Sequence, residues 1–382
     1  MLLDHSWRDA AGLACTSLAM CYSFVAWLSM RLKRRSGRPP GALVLPPVTV
    51  LKPLCGAEPH LYECLKSFCN QAYPSYQIVF GVNDADDPAI ATVRRLQREF
   101  PERELLLAID PRERGHNRKV NNLINMMPLA RHDYLVLADS DIKVTPDYLT
   151  SVVAPLLDDG VGIVTCPYRG RPQPGLCSQL GALFINEWFM PSAHVAARFG
   201  SRAFAFGATI ALRRESLTAI GGFAALADQL ADDYRLGELT RKRGQRTVLS
   251  ELVVETCVAE SSFGDLVRHE LRWLRTIRTV RPIGYALACV TFSVPIAALG
   301  VLLDPGSRLA VEMLTVAMLG RILLHLEVRK LSHSHCSLPV VILHDFLALG
   351  LWCCASFATH VQWRERRYRV TRDGALQVDP LT

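Results

Sequence analysis

Residues 135–142 read L-V-L-A-D-S-D-I, an apolar run of strand length that ends in two carboxylates one residue apart. Because the side chains of a strand alternate between its faces, residues two apart point to the same side. Asp139 and Asp141 are therefore predicted to leave the end of this strand together. In an open α/β sheet, this end of the strands forms the edge at which ligands bind.

The two aspartates provide hard oxygen ligands on one side of the predicted strand. Mg2+ and Mn2+ favour a few carboxylates together with the phosphates of a substrate. A strand that ends in a solvated turn would also explain the D-S-D sequence. We favour a metal site because further carboxylates recur near the ends of other elements, with Asp87 after the second predicted strand and Asp232 and Asp233 in the first turns of a later helix.

Strands and helices alternate around this segment at the spacing of βαβ units. The alternation predicts a mostly parallel sheet with right-handed crossovers. The predicted strands are 48–51, 77–82, 105–109, 134–138, 160–165 and 247–254, with 203–212 also extended, and the predicted helices are 61–70, 89–100, 119–127, 176–197 and 229–243.

An apolar segment precedes this region. Residues 11–30 contain no charge and are long enough to cross a bilayer. Four basic residues follow within 31–35, and the segment lacks a small-residue cleavage site. We interpret it as a retained anchor whose carboxyl end lies in the cytosol, with a buried core helix as the alternative. The proline-rich residues 38–47 are a predicted linker.

Three further apolar runs follow the α/β region, at 282–303, 309–326 and 338–359. Three crossings would place the tail outside the cell, yet residues 363–372 contain five arginines, and basic segments stay in the cytosol. One run is therefore expected to be in-plane or re-entrant. We expect this of the last run, because His344 and Asp345 lie near its start and charge is costly within lipid.

A cationic segment lies between the α/β region and these runs. Arginines recur at steps of three or four along residues 263–280, with apolar residues between them. This pattern predicts an amphipathic helix at the bilayer surface. The chain has 43 Lys and Arg against 36 Asp and Glu, and the clustered arginines indicate anionic lipids and anionic cofactors as partners. The sequence lacks the aromatic and basic interleaving of RNA-binding surfaces, so nucleic acid is not an expected partner.

Seven short motifs occur in order between residues 51 and 370. Together they resemble the processive-type GT-A glycosyltransferases of family 2 and, more closely, family 21, the ceramide glucosyltransferase group. Within that group the chain is most similar to bacterial glycosyltransferases associated with hopanoid biosynthesis. The motifs are L-K-P-L-C-G-A-E-P (51–59), N-D-A-D-D-P-A-I (83–90), N-R-K-V-N-N-L (117–123), D-S-D-I-K-V (139–144), L-A-D-D-Y-R-L-G (230–237), H-E-L-R-W (269–273) and W-R-E-R-R-Y-R-V (363–370).

The resemblance implies a GT-A domain, the nucleotide-diphospho-sugar transferase fold, with an α/β architecture and a mostly parallel sheet. This domain would lie between an N-terminal transmembrane helix and C-terminal membrane helices. The expected divisions are an N-terminal anchor with its basic flank (1–36), the GT-A catalytic domain (45–260), the amphipathic interfacial helix (261–281), a C-terminal membrane region (282–360) and a basic cytosolic tail (361–382).

The family motifs imply roles for several side chains. Asp139 and Asp141 would hold Mg2+ or Mn2+, and Asp87, Asp139 and Lys119 would contact the nucleotide-sugar. Asp233 would be the base that inverting transfer needs near the acceptor hydroxyl. Alternatives stay open, because Asp87 also fits a turn, Asp233 a carboxylate at a helix N-terminus and Lys119 an exposed lysine.

The H-E-L-R-W motif implies a second group of contacts. Arg272 would bind the diphosphate through two parallel hydrogen bonds, and Trp273 would stack under the acceptor or the sugar. A surface arginine beside a tryptophan at the membrane interface is the alternative. His269 stands where family 2 has glutamine, which leaves its contact with the nucleotide open. The tail residues that match family 21, and that would cover the site or contact the acceptor or lipid headgroups, are Trp363, Arg367 and Tyr368.

The resemblance implies an inverting glycosyltransferase, a multi-pass protein of the bacterial inner membrane with a cytosolic catalytic domain. The expected donor is UDP-N-acetylglucosamine and the expected acceptor is the hopanoid bacteriohopanetetrol. One alternative is a ceramide glucosyltransferase that uses UDP-glucose. Another is a catalytically inactive protein that binds a lipid and a nucleotide-sugar, which the intact acidic set argues against. A processive polysaccharide synthase would need more crossing helices.

Overall fold

Strands and helices follow the predicted alternation along the first half of the chain. The structure, a computed structural model, describes residues 3–32, 44–201, 203–332, 336–357, 360–363, 366–371 and 374–378. The strands are β1 (Val48–Pro53), β2 (Tyr76–Val82), β3 (Glu104–Ile109), β4 (Tyr134–Leu137), β5 (Ile142–Lys143), β6 (Val161–Thr165), β7 (Tyr168–Pro172), β8 (Ile210–Arg213), β9 (Arg246–Leu249), β10 (Val254–Val258), β11 (His360–Trp363), β12 (Arg366–Val370) and β13 (Leu376–Val378).

The helices range from single turns to helices of membrane-spanning length. They are α1 (Leu3–Arg31), α2 (Leu61–Cys69), α3 (Ala89–Glu99), α4 (Arg118–Met126), α5 (Tyr148–Val153), α6 (Leu176–Leu183), α7 (Met190–Arg198), α8 (Arg214–Ala219), α9 (Asp232–Lys242), α10 (Phe263–Val280), α11 (Pro282–Leu287), α12 (Ser293–Leu303), α13 (Arg308–Ser332) and α14 (Leu338–Phe357).

Seven strands form the main sheet, in the order β3-β2-β1-β4-β8-β6-β9. The pairs β1–β2, β2–β3, β1–β4 and β6–β9 are parallel, and β8 runs antiparallel to both β4 and β6. The mostly parallel sheet is therefore confirmed. The register pairs Leu51 of β1 with Leu137 of β4, so Lys52 lies level with the start of the loop that carries Asp139.

Both faces of this sheet are buried, which explains why its strands read as continuous apolar runs. Val50, Ile78 and Val136 belong to the hydrophobic cluster on one face. Their neighbours along the strands, such as Leu51 and Leu135, belong to the cluster on the other face. The sheet is thus held rigidly between two apolar layers, and its carboxyl edge is a fixed platform for a site.

The chain divides into two compact units. The first consists of the described residues of 1–34, 169–200 and 258–365, and the second of those of 35–168, 201–257 and 366–382. The main sheet belongs to the second unit and the long apolar helices to the first. Residues 33–43, which hold much of the predicted basic flank and linker, lie outside the described residues. The domain boundaries expected from the sequence stay a prediction.

Three helices of the first unit are long and apolar enough to cross a membrane: Asp9–Arg31, Arg308–Ser332 and Leu338–Phe357. A fourth candidate is a helix pair, Pro282–Thr291 and Ser293–Leu303, whose axes meet at 74°. These counts rest on length and composition of the described residues. They agree with a membrane protein.

The C-terminal run that bends is the first one. The last run, which we expected to be in-plane or re-entrant, is straight, and its placement relative to the membrane stays a prediction. Pro295 lies in the first turn of α12, and a proline ring clashes with the carbonyl group four residues before it, here that of Thr291 at the end of the preceding helix. Pro339 lies at the very start of its apolar run, in the first turn of α14, so no helical turn of that run precedes it and its missing N–H breaks no hydrogen bond. The last run is therefore one continuous helix.

The charges of the last run are paired inside the first unit. Arg321 of α13 donates to both carboxylate oxygens of Asp345, at 2.7 and 2.9 Å, and to Glu187 at 2.8 Å. His325 lies 2.6 Å from the other carboxylate oxygen of Glu187. The cost of charge within lipid, which made us doubt this run, is thus offset by partners that lie far apart in the sequence.

Glu187 reaches this cluster from an irregular segment. We expected one helix over 176–197, but a wider, π-helical segment (Phe184–Phe189) separates α6 from α7. Pro191 lies in the first turn of α7, and its ring would clash with the carbonyl group of Glu187 in a regular helix. The wider turn removes this clash and directs the Glu187 side chain into the cluster.

Replacing the central arginine tests this cluster. We expect Arg321→Met to lower the free energy of unfolding by about 3–5 kcal/mol, because two buried carboxylates lose their partner. The measurement is thermal unfolding of the purified protein in detergent.

Arg308→Met is the matched control. Arg308 lies at the start of the same helix and forms an exposed pair with Glu312, which contributes little. An Arg321→Met protein that unfolds at the same temperature as this control would show that the cluster does not stabilise the helices.

Candidate functional site

Three elements of the second unit bring charged side chains to the carboxyl end of β4. Asp139 follows β4, Lys119 lies in the first turn of α4, and Asp232 and Asp233 begin α9. The Nζ atom of Lys119 lies 2.6 Å from Oδ1 of Asp139 and 3.6 Å from Oδ2 of Asp232. The structure thus places side chains from three of the sequence motifs in one site.

Asn117 fixes the start of α4 and links it to α9. Its side-chain oxygen accepts a hydrogen bond from the main-chain N–H of Val120 at 3.1 Å, which is a helix N-cap. Its Nδ2 donates to the carbonyl oxygen of Gln229 at 2.8 Å and to Asp232 at 3.3 Å. One amide side chain therefore sets the position of Lys119 relative to the acidic pair.

Gly207 lies where the charged groups converge. Its N–H donates to Oδ2 of Asp233 at 2.9 Å. A Cβ atom on Gly207 would lie 3.0 Å from Asp139, 3.3 Å from Lys119 and 3.4 Å from Asp233. We expected residues 203–212 to be extended, but only Ile210–Arg213 forms a strand, and the preceding loop brings Gly207 into the site.

Asp233 is a partly buried carboxylate held by main-chain donors. It accepts hydrogen bonds from Gly207 and, at 2.7 Å, from the N–H of Tyr234. Burial and the charge of Asp232, opposed by Lys119, raise the pKa of Asp233 to about 6. A carboxylate with a pKa near neutrality is suited to accept a proton.

Lys119 stays charged in this setting. Burial opposes its charge, but Asp139, Asp232 and Asp233 outweigh burial and raise the pKa of Lys119 above its ordinary value. The ammonium group is therefore a fixed positive charge among the carboxylates. Such a charge suits the binding of a phosphate group.

The D-S-D loop is held from outside the motif. Ser140 donates to the carboxylate of Glu58, and Thr256 of β10 donates to Oδ2 of Asp141. Thr256 reaches the loop because β10 pairs with β5 directly after it. We predicted a single strand over 247–254, and the structure instead has the separate strands β9 and β10. The sequence pattern therefore missed Thr256.

Lys52 lies in the sheet directly beside this loop. Its ammonium group donates to the main-chain oxygen of Asp139, and its side chain is completely buried. Burial, opposed by nearby acidic groups, lowers the pKa of Lys52 to about 8. We predicted no role for Lys52 from the sequence, where the available signal was a lysine at the end of an otherwise apolar strand.

The residues around Asp139 and Asp141 fit a divalent cation. Burial and the neighbouring charge of Asp139 raise the pKa of Asp141, so a cation bound by both carboxylates would relieve their repulsion. Among the described residues, no three His, Cys, Asp or Glu side chains are grouped so that they could hold a metal ion. The donor set suits an ion that a substrate phosphate also ligates.

Asp87 has a structural task in this fold. Both of its carboxylate oxygens lie 3.0 Å from the N–H of Gly56, and Oδ1 accepts from the N–H of Ala89 at 2.8 Å. The carboxylate thus joins the loop after β1 to the start of α3. These bonds match the turn that we kept as the alternative for Asp87, and its contact with a nucleotide stays a prediction.

The H-E-L-R-W residues belong to the first unit, on α10. His269 lies 2.6 Å from a carboxylate oxygen of Glu260 and packs edge-on against Trp273, with ring centroids 5.1 Å apart. Trp273 also contacts Phe184 and Phe189 of the π-helical segment through ring edges. The roles of His269, Arg272 and Trp273 toward a substrate stay predictions.

The C-terminal tail reaches the loop before the acidic pair. The N–H of Leu230 donates to the carbonyl oxygen of Gly374 at 3.0 Å, and the N–H of Leu376 donates to that of Asp228 at 2.7 Å. The tail therefore braces the segment that leads into α9. We predicted contacts for the side chains of Trp363, Arg367 and Tyr368, which lie outside the described part of the structure.

Comparison with known proteins agrees with this arrangement. The model of the family described as Glycosyl transferase family 21 matches residues 13–376. The chain belongs to glycosyl transferase family 21. The predicted family is thereby confirmed.

Individual relatives of this family 21 chain share about a quarter of its residues over the matched part. Ceramide glucosyltransferase 3 of Caenorhabditis elegans is 26% identical over 238 residues, which is 60% of this chain and 50% of the relative. Ceramide glucosyltransferase 1 of the same organism is 25% identical over 208 residues, 54% of this chain and 44% of the relative. The matched part is thus about half the length of these relatives.

A solved structure shares the fold. The mannosyltransferase PcManGT from Pyrobaculum calidifontis, in complex with GDP-Man and Mn2+, matches with a TM-score of 0.59 at 20% identity, covering 92% of this chain and 100% of that chain. The predicted fold class, an α/β GT-A domain together with apolar helices near both ends of the chain, is confirmed.

Adding a methyl group at Gly207, where the charged groups converge, tests the site of this family 21 protein. We expect Gly207→Ala to lower sugar transfer about tenfold or more, because it displaces charged groups that must be positioned within tenths of an ångström. Unfolding should change little, because the contacted atoms are the ends of flexible side chains.

Steady-state rates and thermal unfolding measure the two effects. Gly350→Ala is the control, because a Cβ at Gly350 meets no atom within 4 Å. Full activity in Gly207→Ala would show that transfer does not depend on the positions of Asp139, Lys119 and Asp233 around Gly207.

Proposed function

We propose that this protein is a membrane-bound inverting glycosyltransferase that moves a sugar from a UDP-sugar to a hydroxyl group of a membrane lipid. The observation on which the proposal rests is that Asp233, a carboxylate with a raised pKa, lies beside the Lys119–Asp139 ion pair. A proton acceptor next to a cationic, metal-compatible centre is what inverting transfer from a nucleotide-sugar requires. Membership of family 21 and the helices of spanning length support the same function.

Each charged residue has a task in this mechanism. Asp139 and Asp141 would hold Mg2+ or Mn2+, which when bound supplies positive charge to the departing diphosphate. Lys119 adds a fixed positive charge to the same group. Asp233 accepts the proton of the acceptor hydroxyl while that oxygen attacks the anomeric carbon. The Gly207 N–H keeps the accepting carboxylate in place.

The donor and the acceptor are proposed from resemblance. The motifs resemble those of hopanoid-associated enzymes, and on this resemblance we propose UDP-N-acetylglucosamine and bacteriohopanetetrol. The names of the two nematode relatives favour the second candidate, transfer from UDP-glucose to ceramide. Both candidates use the same site and differ in the pockets for the sugar and the lipid.

The place of action is part of the same proposal and is supported by the apolar helices and the clustered arginines. We propose a multi-pass protein of the bacterial inner membrane whose α/β unit lies in the cytosol, where nucleotide-sugars are available. The arginine-rich α10 would lie at the bilayer surface and meet anionic lipids. An inactive binding protein is disfavoured, because Asp139, Asp141 and Asp233 are all present.

A transfer assay tests the function directly. Purified protein in detergent receives radiolabelled UDP-N-acetylglucosamine or UDP-glucose, each with bacteriohopanetetrol or ceramide, with Mg2+ or Mn2+ and with a chelator. Label in the hopanoid only from UDP-N-acetylglucosamine, lost on chelation, supports the proposal. Label in ceramide from UDP-glucose keeps the mechanism and overturns the substrates. No label in any lane, with UDP still bound, favours an inactive protein.

Two substitutions separate the base from the metal site. We expect Asp233→Asn to abolish transfer and leave UDP-sugar binding nearly intact, because the base acts on the acceptor. Asp141→Asn should weaken metal-dependent nucleotide binding, because one of two ligands loses its charge. Transfer rates and calorimetric titration with UDP-sugar measure these effects.

Asp228→Asn is the control for both substitutions. Asp228 lies in the same loop as the acidic pair but faces His116 at the surface, and its replacement should leave transfer unchanged. Near-full turnover by the Asp233→Asn protein would show that another group is the base.

The pH profile should report Asp233. Its carboxylate is the active form and its pKa is about 6, so activity is present above this pH and is lost as the pH falls through it. Below pH 6 we expect kcat/KM to fall by about tenfold for each pH unit. An activity limb near pH 4, the range of an ordinary aspartate, would contradict the assignment.

A further inference from the structure

Lys52 is the most deeply buried charged side chain near the site. It lies at the penultimate position of β1 and is 0% exposed. Lysine is almost never buried completely unless its charge is compensated. Its ammonium group donates to the main-chain oxygen of Asp139 and lies 4.1 Å from the ring centroid of Phe68. The fold therefore keeps a charge in its core at one specific place, beside the D-S-D loop.

The bond from Lys52 completes a turn. The main-chain oxygen of Asp139 also accepts from the N–H of Ile142 at 3.3 Å, which closes residues 139–142 into a tight turn. One carbonyl oxygen can accept two hydrogen bonds, so Lys52 and Ile142 both hold it. Hydrogen bonds from a charged donor are stronger than those between neutral groups. The hydrogen bond from Lys52 thus strongly stabilises this turn.

The other side of the turn is also tied, by neutral donors. The main-chain oxygen of Asp141 accepts from the thiol of Cys64 at 3.3 Å and from the N–H of Cys257 at 3.2 Å. Thr256 holds the Asp141 carboxylate. Asp139 and Asp141 are therefore each fixed through the main chain by residues outside the motif. Their spacing is set before any ligand binds.

We propose that Lys52 is a positioning residue that fixes Asp139 relative to Asp141 and thereby raises the affinity of the pair for a divalent cation. This inference rests on the proposed function, because it assumes that the pair is a metal site. Two carboxylates on a loose loop would have to be ordered when the ion binds, and this ordering has an entropic cost. Lys52 removes that cost in advance.

Lys52 has two opposite effects on metal affinity, which makes the inference testable. Its positive charge weakens metal binding, and its hydrogen bond to Asp139 strengthens it. A buried cation beside a metal site repels the metal ion. If Lys52 acted only through its charge, its removal would tighten metal binding. If Lys52 acts by holding the turn, its removal weakens metal binding. The two roles therefore predict changes of opposite sign.

The experiment measures Mn2+ binding and not transfer. Mn2+ is titrated into the purified full-length chain in detergent with UDP present, and free Mn2+ is followed by electron paramagnetic resonance. We expect Lys52→Met, which is similar in length and can contact the Phe68 ring through its sulfur, to raise the Kd for Mn2+ about tenfold or more. Lys52→Gln is neutral but keeps an N–H donor and should recover part of this loss.

Controls separate the possible failures. Lys66→Met removes a half-exposed lysine of α2 that pairs with Glu99, and it should leave the Kd unchanged. An unchanged or lower Kd in both Lys52 variants overturns the positioning role and leaves the proposed function standing. If the unmodified chain binds no Mn2+, the metal site and the inference both fail. If Lys52→Met does not fold, Lys52→Gln alone decides between the two signs.

Discussion

Mutual repulsion among carboxylates is the constraint on which the site depends. Asp139, Asp141, Asp232 and Asp233 lie around two ammonium groups, those of Lys119 and Lys52. The two lysines supply positive charge that offsets the like charge of these carboxylates. Lys119 pairs with Asp139 and Asp232, whereas Asp233 accepts hydrogen bonds from main-chain donors. Burial and the charge of Asp232, opposed by Lys119, raise the pKa of Asp233 to about 6. Asp233 therefore combines a raised pKa with a position beside a lysine that stays charged.

Local sequence predicted the acidic side chains but not what holds them. The D-S-D motif follows from strand periodicity, and the acidic pair from its position at a helix start. Gly207 and Thr256 entered the site through a loop and a strand pairing that depend on residues far away in the chain. Lys52 reads as an ordinary strand end, since only the sheet register, with Leu51 opposite Leu137, places it beside Asp139. Asp87 shows the reverse case. It belongs to a sequence motif, but its carboxylate forms hydrogen bonds with the main chain of Gly56 and Ala89.

Hydropathy likewise predicted where the apolar and amphipathic helices lie, but not how they bend or which charged residues they pair. The bounds of α10 match the predicted amphipathic segment, and α14 begins where its apolar run begins. Composition could not locate the bend, which depends on the clash between Pro295 and the preceding turn. It also could not pair Asp345 with Arg321, or Arg321 with Glu187, which is 134 residues away. A charge within an apolar run can therefore be judged only together with its partners.

The two units use buried cations in different ways, and the difference supports the proposed place of the reaction in the second unit. Arg321 offers a planar fork that bonds both oxygens of Asp345 and one of Glu187, and a guanidinium group stays charged at any ordinary pH. That cluster is closed and suits helix packing. In the second unit the cations are lysines, which are compact point charges and leave carboxylate oxygens available. Asp139 remains about one-third exposed, and Asp233 keeps a raised pKa. An open set of charges, unlike a closed one, has the capacity to receive a diphosphate and a proton.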